Sequence, residues 1–193
     1  MTDDMSSLPE RDLVTLFRDG DNDAGNELYT RYKSRLAGLC YNMMHDSDMA
    51  GEMVQETFYR LLKQRHLVDP NRNFGAFVHR MAFNLCIDAI RKRKVMVDWD
   101  DFSWVQEEAP STDDAYFGTV TKVQHKSIWK TVEQLPTSAR TLIELRYRSE
   151  LTPESIAEVL GVPASTIRVR LHRARKMLAD ILGPDWVAEN ETT

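Results

Sequence analysis

Cysteine is scarce in this chain of 193 residues, with only Cys40 and Cys86 present. Both sit in apolar helical patterns, which fits buried free thiols in a reducing compartment better than a disulfide framework. No C-x-x-C or H-x-x-x-H spacing occurs, and His45, His66, His79, His125 and His172 do not cluster, so a metal site has no sequence support. No nucleophile, base and ligand set converges, which counts against a small helical enzyme and implies no cofactor. No apolar run approaches a membrane span, and the opening MTDDMSSLPE is acidic where a secretory signal would be basic. The expectation is a cytoplasmic protein with no membrane insertion. Strand-like alternation is weak throughout, and no internal repeat is found.

Acid is absent from one informative stretch, Pro163 to Lys176, in a chain whose formal net charge is −5. That stretch carries Arg168, Arg170, Arg173, Arg175 and Lys176. It follows LTPESIAEVLG, in which Thr152 suits an N-cap, Pro153 suits the first helical position and Gly161 falls where the helix must stop. Ile156, Ala157 and Leu160 recur at helical spacing, as do Ile167 and Leu171 after the turn Gly161-Val162-Pro163. A short Gly turn between two helices, the second cationic, is the helix-turn-helix arrangement that major-groove docking requires. An ordinary amphipathic hairpin with a solvated basic face is the plain alternative.

Upstream, helical periodicity predicts Leu8 to about Arg18, Asn22 to His45, Met49 to Gln64 and Phe74 to about Lys94, enough for a compact four-helix bundle. The third has Val54, Phe58, Leu61 and Leu62 as its apolar members; the fourth has Phe77, Val78, Met81, Leu85 and Ile90. Arg65 to Asn73, broken by Pro70, reads as a loop. Val95 to about Lys122 breaks the pattern, holding Pro110 and a cluster of acids from Asp98 to Asp114, and reads as a flexible linker. Helical pattern resumes at about Val123, and Ser138 to Ser149 forms the helix before the helix-turn-helix.

Two distant segments together resemble a known family. AGEMVQETFYRLLK (Ala50 to Lys63), followed by FGAFVHRMAFNLCIDAIRKRK (Phe74 to Lys94), is one. LPTSARTLIELRYRSELTPESIAEVLGVPASTIRVRLHRARKML (Leu135 to Leu178) is the other. In order and separation they resemble the extracytoplasmic-function sigma factors of the sigma-70 family, from about Leu13 to Leu182. The resemblance implies an all-α fold, with a four-helix sigma domain two over residues 8–95, an acidic linker over 96–122 and a helix-turn-helix sigma domain four over 123–183.

The implied function is that of an alternative sigma factor, which binds core RNA polymerase and directs promoter recognition, DNA melting and initiation for a specific regulon, a stress or envelope response. The implied partners are core polymerase, promoter DNA and an anti-sigma protein, in a bacterial cytoplasm and at the nucleoid through polymerase. Glu52, Gln55 and Glu56 fall where the family docks on polymerase. Asn84, Arg80, Arg91, Lys92 and Arg93 fall on the element that opens the promoter and reads the −10 region, where an amide can capture a base and cations meet phosphates. Phe77, where the family has an aromatic residue, is expected in the core. For the −35 element, Arg168, Val169, His172 and Arg173 are placed for base contacts, and Arg146 and Arg170 for the backbone. A stand-alone helix-turn-helix regulator is the other functional class; nothing here resembles the sensing domain it would need.

Overall fold

The computed structural model describes residues 5–92 and 128–183. The acidic linker, Arg93, Lys94 and the tail with Trp186 lie outside the described residues. Among those described there is helix and loop but no strand.

The first bundle consists of α1 (Glu10–Asp19), α2 (Asn22–Met44), α3 (Ser47–Lys63) and α4 (Phe74–Lys92). Side-chain caps start three of them. Asp21 Oδ1 accepts from Ala24 N at 2.9 Å, Asp46 Oδ1 from Asp48 N and Met49 N at 3.0 and 3.1 Å, and Asn73 Oδ1 from Ala76 N at 2.8 Å. Each satisfies amides that a helix start leaves without partners. Gly20 ends α1 at φ 107°, a conformation that favours glycine. Leu13, Leu28, Leu36, Leu39, Leu61 and Phe74 are fully buried and fill the space between the helices.

The second unit has residues 128–132 in helix, then α5 (Thr137–Ile143), one turn of π-helix (Glu144–Arg148), α6 (Pro153–Leu160) and α7 (Ala164–Leu182). The expected helix from Ser138 to Ser149 therefore widens halfway. Ser149 N reaches Glu144 O at 3.0 Å, and Leu151 N reaches Leu145 O at 3.0 Å. The widening rotates Glu144, Arg146 and Arg148 relative to where α-helical spacing would put them.

Between α6 and α7 the chain turns as expected. Thr152 Oγ1 accepts from Ser155 N at 3.2 Å, Pro153 opens α6, and Gly161 stops it at φ 69°. Ile156, Ile167, Leu171 and Leu178 are buried. Thr152→Ala should cost about 1 kcal/mol of stability by removing the cap. Urea melts of the full chain check this.

The two units are not separate bodies. α6 packs along α4, and α5 and the π-turn pack on α2. Leu142, Leu145, Leu151, Ile156 and Val159 join the first bundle's apolar cluster, while Ile128, Val132, Leu135, Ile143 and Leu178 form a smaller one of their own.

Candidate polymerase and nucleic-acid interface

Three helix faces carry the residues singled out from the sequence. On α3, Glu52, Gln55 and Tyr59 are exposed and Glu56 is half-buried, paired with Arg60 Nε at 2.6 Å. These residues line a groove of about 770 Å³ between α3 and α4, with Asp88 and Lys92 on its far wall. Tyr59 is exposed under the Lys63 ammonium, whose Nζ lies 4.3 Å from the ring centroid. Leu62, expected in the bundle, is instead 49% exposed. Leu61 takes the buried position beside it, and one helix turn cannot point two successive residues the same way. The face thus mixes carboxylates, an amide and apolar surface, a composition suited to a protein partner.

On α4, Phe77, Arg80, Asn84, Asp88 and Arg91 are all exposed. Their spacing of three and four places them on one side of the helix. Phe77, expected in the core, belongs to this side; Phe74, Val78, Ala82 and Cys86 form the buried stripe instead. The aromatic ring, the amide and the cations share one face, which suits an unstacked nucleic-acid strand better than a core. Lys92 is exposed near the helix end.

On α7, Arg168 is exposed, and Val169, His172 and Arg173 are half-buried. Arg168 donates to the Glu154 carboxylate on α6, which holds its guanidinium over the turn. Arg146 lies on the π-turn and donates to Leu151 O at 3.4 Å. Arg170 stands apart: it is buried, and burial lowers its pKa below the usual guanidinium range. It faces the first bundle across a cleft of about 530 Å³ whose other wall is Asn84, Asp88 and Arg91. Leu160 and Val162, from the end of α6 and the turn, line the same cleft. The −10 and −35 candidates therefore confront each other, an arrangement with no sequence signal of its own.

Between the units lies a set of polar residues that sequence reasoning missed. Glu144 is fully buried, and burial raises its carboxyl above the usual range against the opposing pull of Arg148. Asn42 Nδ2 donates to Glu144 Oε2 at 2.9 Å. His79 is fully buried on α4, its Nε2 2.9 Å from Ser149 Oγ. Asn73 Nδ2 donates to Ser155 Oγ at 2.9 Å, and Arg35 pairs with Glu150 at 2.6 Å. Gly38, in the middle of α2, was the one available clue, because glycine inside a helical pattern usually has a packing reason.

Residues 28–95 match the family described as Sigma-70 region 2, and residues 125–178 the family described as Sigma-70, region 4. The chain is 32% identical over 169 residues to the ECF RNA polymerase sigma factor SigW of Bacillus subtilis, covering 82% of this chain and 89% of that one. It is 26% identical over 189 residues to the ECF RNA polymerase sigma-E factor of Haemophilus influenzae, covering 92% and 97%. Its fold resembles that of the sigma factor RpoE of Bartonella quintana, solved with the anti-sigma factor NepR, with a TM-score of 0.61, 23% identity and coverage of 84% and 98%.

Proposed function

From the premise that this chain belongs to the extracytoplasmic-function sigma factors of the sigma-70 family, and is an alternative sigma factor directing transcription for a regulon, we propose how its surfaces divide the work. Residues 8–95 are the first domain and 123–183 the second, with 96–122 as the connection. The α3 face of Glu52, Gln55 and Glu56, with Tyr59 beside them, docks on core polymerase. The α4 face meets the −10 region: Asn84 hydrogen-bonds a base that has left the stack, Phe77 offers it a ring, and Arg80, Arg91 and Lys92 hold phosphates, as does Arg93, the next residue in the sequence. The α7 face enters the major groove at the −35 element. There Arg168, Val169, His172 and Arg173 approach base edges, and Arg146 and Arg170 the backbone. The observation that carries this reading is the shared exposed face of Phe77, Arg80, Asn84 and Arg91.

The factor performs no chemistry of its own; it lends binding energy to a polymerase. A net charge of −5 suits that role. Each basic patch alone binds DNA weakly, and tethering both to polymerase supplies the effective concentration that each lacks. An anti-sigma protein is the proposed regulator, as in the Bartonella quintana complex, and the setting is the cytoplasm. Among the described residues no helix is long and apolar enough to cross a membrane.

Run-off transcription with purified core polymerase on a promoter panel tests the reading. A promoter-specific transcript is expected with the wild-type chain, and its absence on every promoter would sink the proposal. Glu56→Lys should weaken binding to core on the order of tenfold, about 1.4 kcal/mol. Losing its pair with Arg60 should cost the fold no more than about 0.5 kcal/mol. Pull-down on core, paired with circular dichroism, separates the two effects.

A further inference from the structure

One carboxylate stands on the basic face of α4. Asp88 is exposed there, one turn beyond Asn84 and one turn before Arg91 and Lys92. Residues at that spacing have Cβ atoms about 5–6 Å apart. Elsewhere Glu27 and Glu56 each pair with the arginine four residues on, at 2.7 and 2.6 Å. Asp88 does not follow them. One methylene shorter than glutamate, its carboxylate takes part in no hydrogen bond or ion pair among the described residues. It lines the same cleft as Asn84 and Arg91, with Phe83 and Ile87 half-buried beside them.

A surface that only holds phosphates is weakened by a negative charge at its centre, because the carboxylate repels a phosphate brought beside it. A base is received differently. An ionised carboxylate only accepts hydrogen bonds, and the edge of a base carries donors. Guanine presents N1–H and its amino group side by side, so both carboxylate oxygens can accept at once. Cytosine and adenine present one amino group next to a ring nitrogen that itself accepts. Thymine presents N3–H between two carbonyl oxygens, which meet the carboxylate with charge of the same sign. These edges are open only on a base that has left its pair. One helical turn also advances about 5.4 Å, more than the 3.4 Å of a stacked step, which suits an unstacked strand lying along α4.

We propose that Asp88 is a specificity-determining residue for the melted −10 element. Its carboxylate accepts from the Watson–Crick edge of the base beside the one that Asn84 holds, favours guanine there and excludes thymine. The same charge sets the register of the strand, turning phosphates away from Asp88 and toward Arg80, Arg91 and Lys92. The inference rests on the assignment of the α4 face to the −10 region.

Asp88→Asn in the full-length chain, assembled with core polymerase in excess, is the test, since the amide keeps the size and removes the charge. Binding of this holoenzyme to single-stranded oligonucleotides of the non-template −10 sequence, with each base in turn at each position, reads the preference. The wild type should favour guanine over thymine at one position by about tenfold or more. In the variant that ratio should fall to about twofold, while a strand of scrambled sequence binds severalfold more tightly, because a repelling charge has left a basic face. Weaker discrimination with tighter binding is not what misfolding or a lost polymerase contact produces. Asp88→Ser, neutral and small, repeats the measurement should the amide variant fail to fold. Asp88 also borders the groove assigned to polymerase. Base preferences equal to those of the wild type at every position would overturn the proposal, whether or not binding to core falls. So would a wild type that favours thymine at the position the variant alters. Asn84→Ala in the same assay keeps the two readings apart. If it flattens a −10 preference and Asp88→Asn flattens none, the role of Asp88 alone fails; if neither does, the α4 assignment fails with it.

Discussion

Lowering the pH from 7 to 4 should destabilise the folded chain by up to about 3 kcal/mol, mainly through His79. The ring is fully buried on α4. Its Nδ1 lies 2.7 Å from the Gly75 carbonyl, which can only accept, so Nδ1 carries the proton. Nε2 is then the acceptor for the Ser149 hydroxyl at 2.9 Å. A second proton would break that bond and place a cation in a site walled by the Tyr32 ring and biased against positive charge by Arg35. Burial, opposed by the Gly75 hydrogen bond and reinforced by Arg35, lowers the histidine to about 4 from its ordinary 6.5. At about 1.36 kcal/mol per unit, that difference gives the figure above.

The sign follows from proton counting. Between about 6.5 and 4 the unfolded chain holds a proton on His79 that the native chain refuses, so stability falls as the pH drops through that window and levels off below it. His45, lowered by burial and by Arg140, acts in the same direction. Glu144 acts in the opposite one. Its carboxyl is raised by burial, so its protonation favours the native form and offsets part of the loss on acidification. Urea melts at pH 7, 5.5 and 4 on wild type and on His79→Gln measure the difference. A variant that keeps the wild-type slope between pH 6.5 and 4 would show that His79 is not its source. Because Ser149 belongs to the second domain, separation of the domains also removes that histidine partner. Scattering at each pH therefore reports opening independently of unfolding.

Local signals were legible in the sequence wherever one residue type answers one local demand. Thr152, Pro153 and Gly161 bound α6 because a cap, a missing amide and a positive φ each favour particular residues. Asp46 starts α3 for the same reason. Ile167 and Leu171 are core because few other faces of α7 are apolar. Periodicity was less informative about which apolar residue faces inward. Phe77 and Leu62 count as apolar in any pattern, yet both are exposed on the faces assigned here to DNA and polymerase. A surface evolved for a partner carries apolar residues that a pattern assigns to the core.

Beyond the glycine at position 38, the contact between the domains left no signal in the sequence. It depends on a π-turn that no local residue announces and on pairs more than a hundred positions apart, such as Asn42 with Glu144 and Arg35 with Glu150. Placing Asn84 opposite Arg170 follows from that contact, so neither residue's surroundings could be read from its own helix.

Arg173→Ala should reduce activity at the best −35 element by about 1–3 kcal/mol, roughly 5- to 150-fold, and should flatten preference at one position of that element. Arg173 is half-buried on α7, one turn beyond Val169 and next to His172, where a guanidinium can reach a base edge once α7 lies in the major groove. A guanidinium that pairs bidentately with guanine discriminates, since the wrong base leaves its donors unmet. Arg170→Ala provides the contrast. Arg170 is buried against the first domain, and its proposed partner after separation is a phosphate, which every sequence presents alike. Its loss should therefore weaken all −35 variants by a similar factor and lower the salt dependence of binding by about one unit of slope. Transcription with core polymerase on a panel of single-base −35 variants distinguishes the two. Should Arg173→Ala lower every variant equally while Arg170→Ala flattens one position, the roles of the two arginines are exchanged. Should neither change the preference, base reading at the −35 element passes to Arg168, whose guanidinium Glu154 holds over the turn.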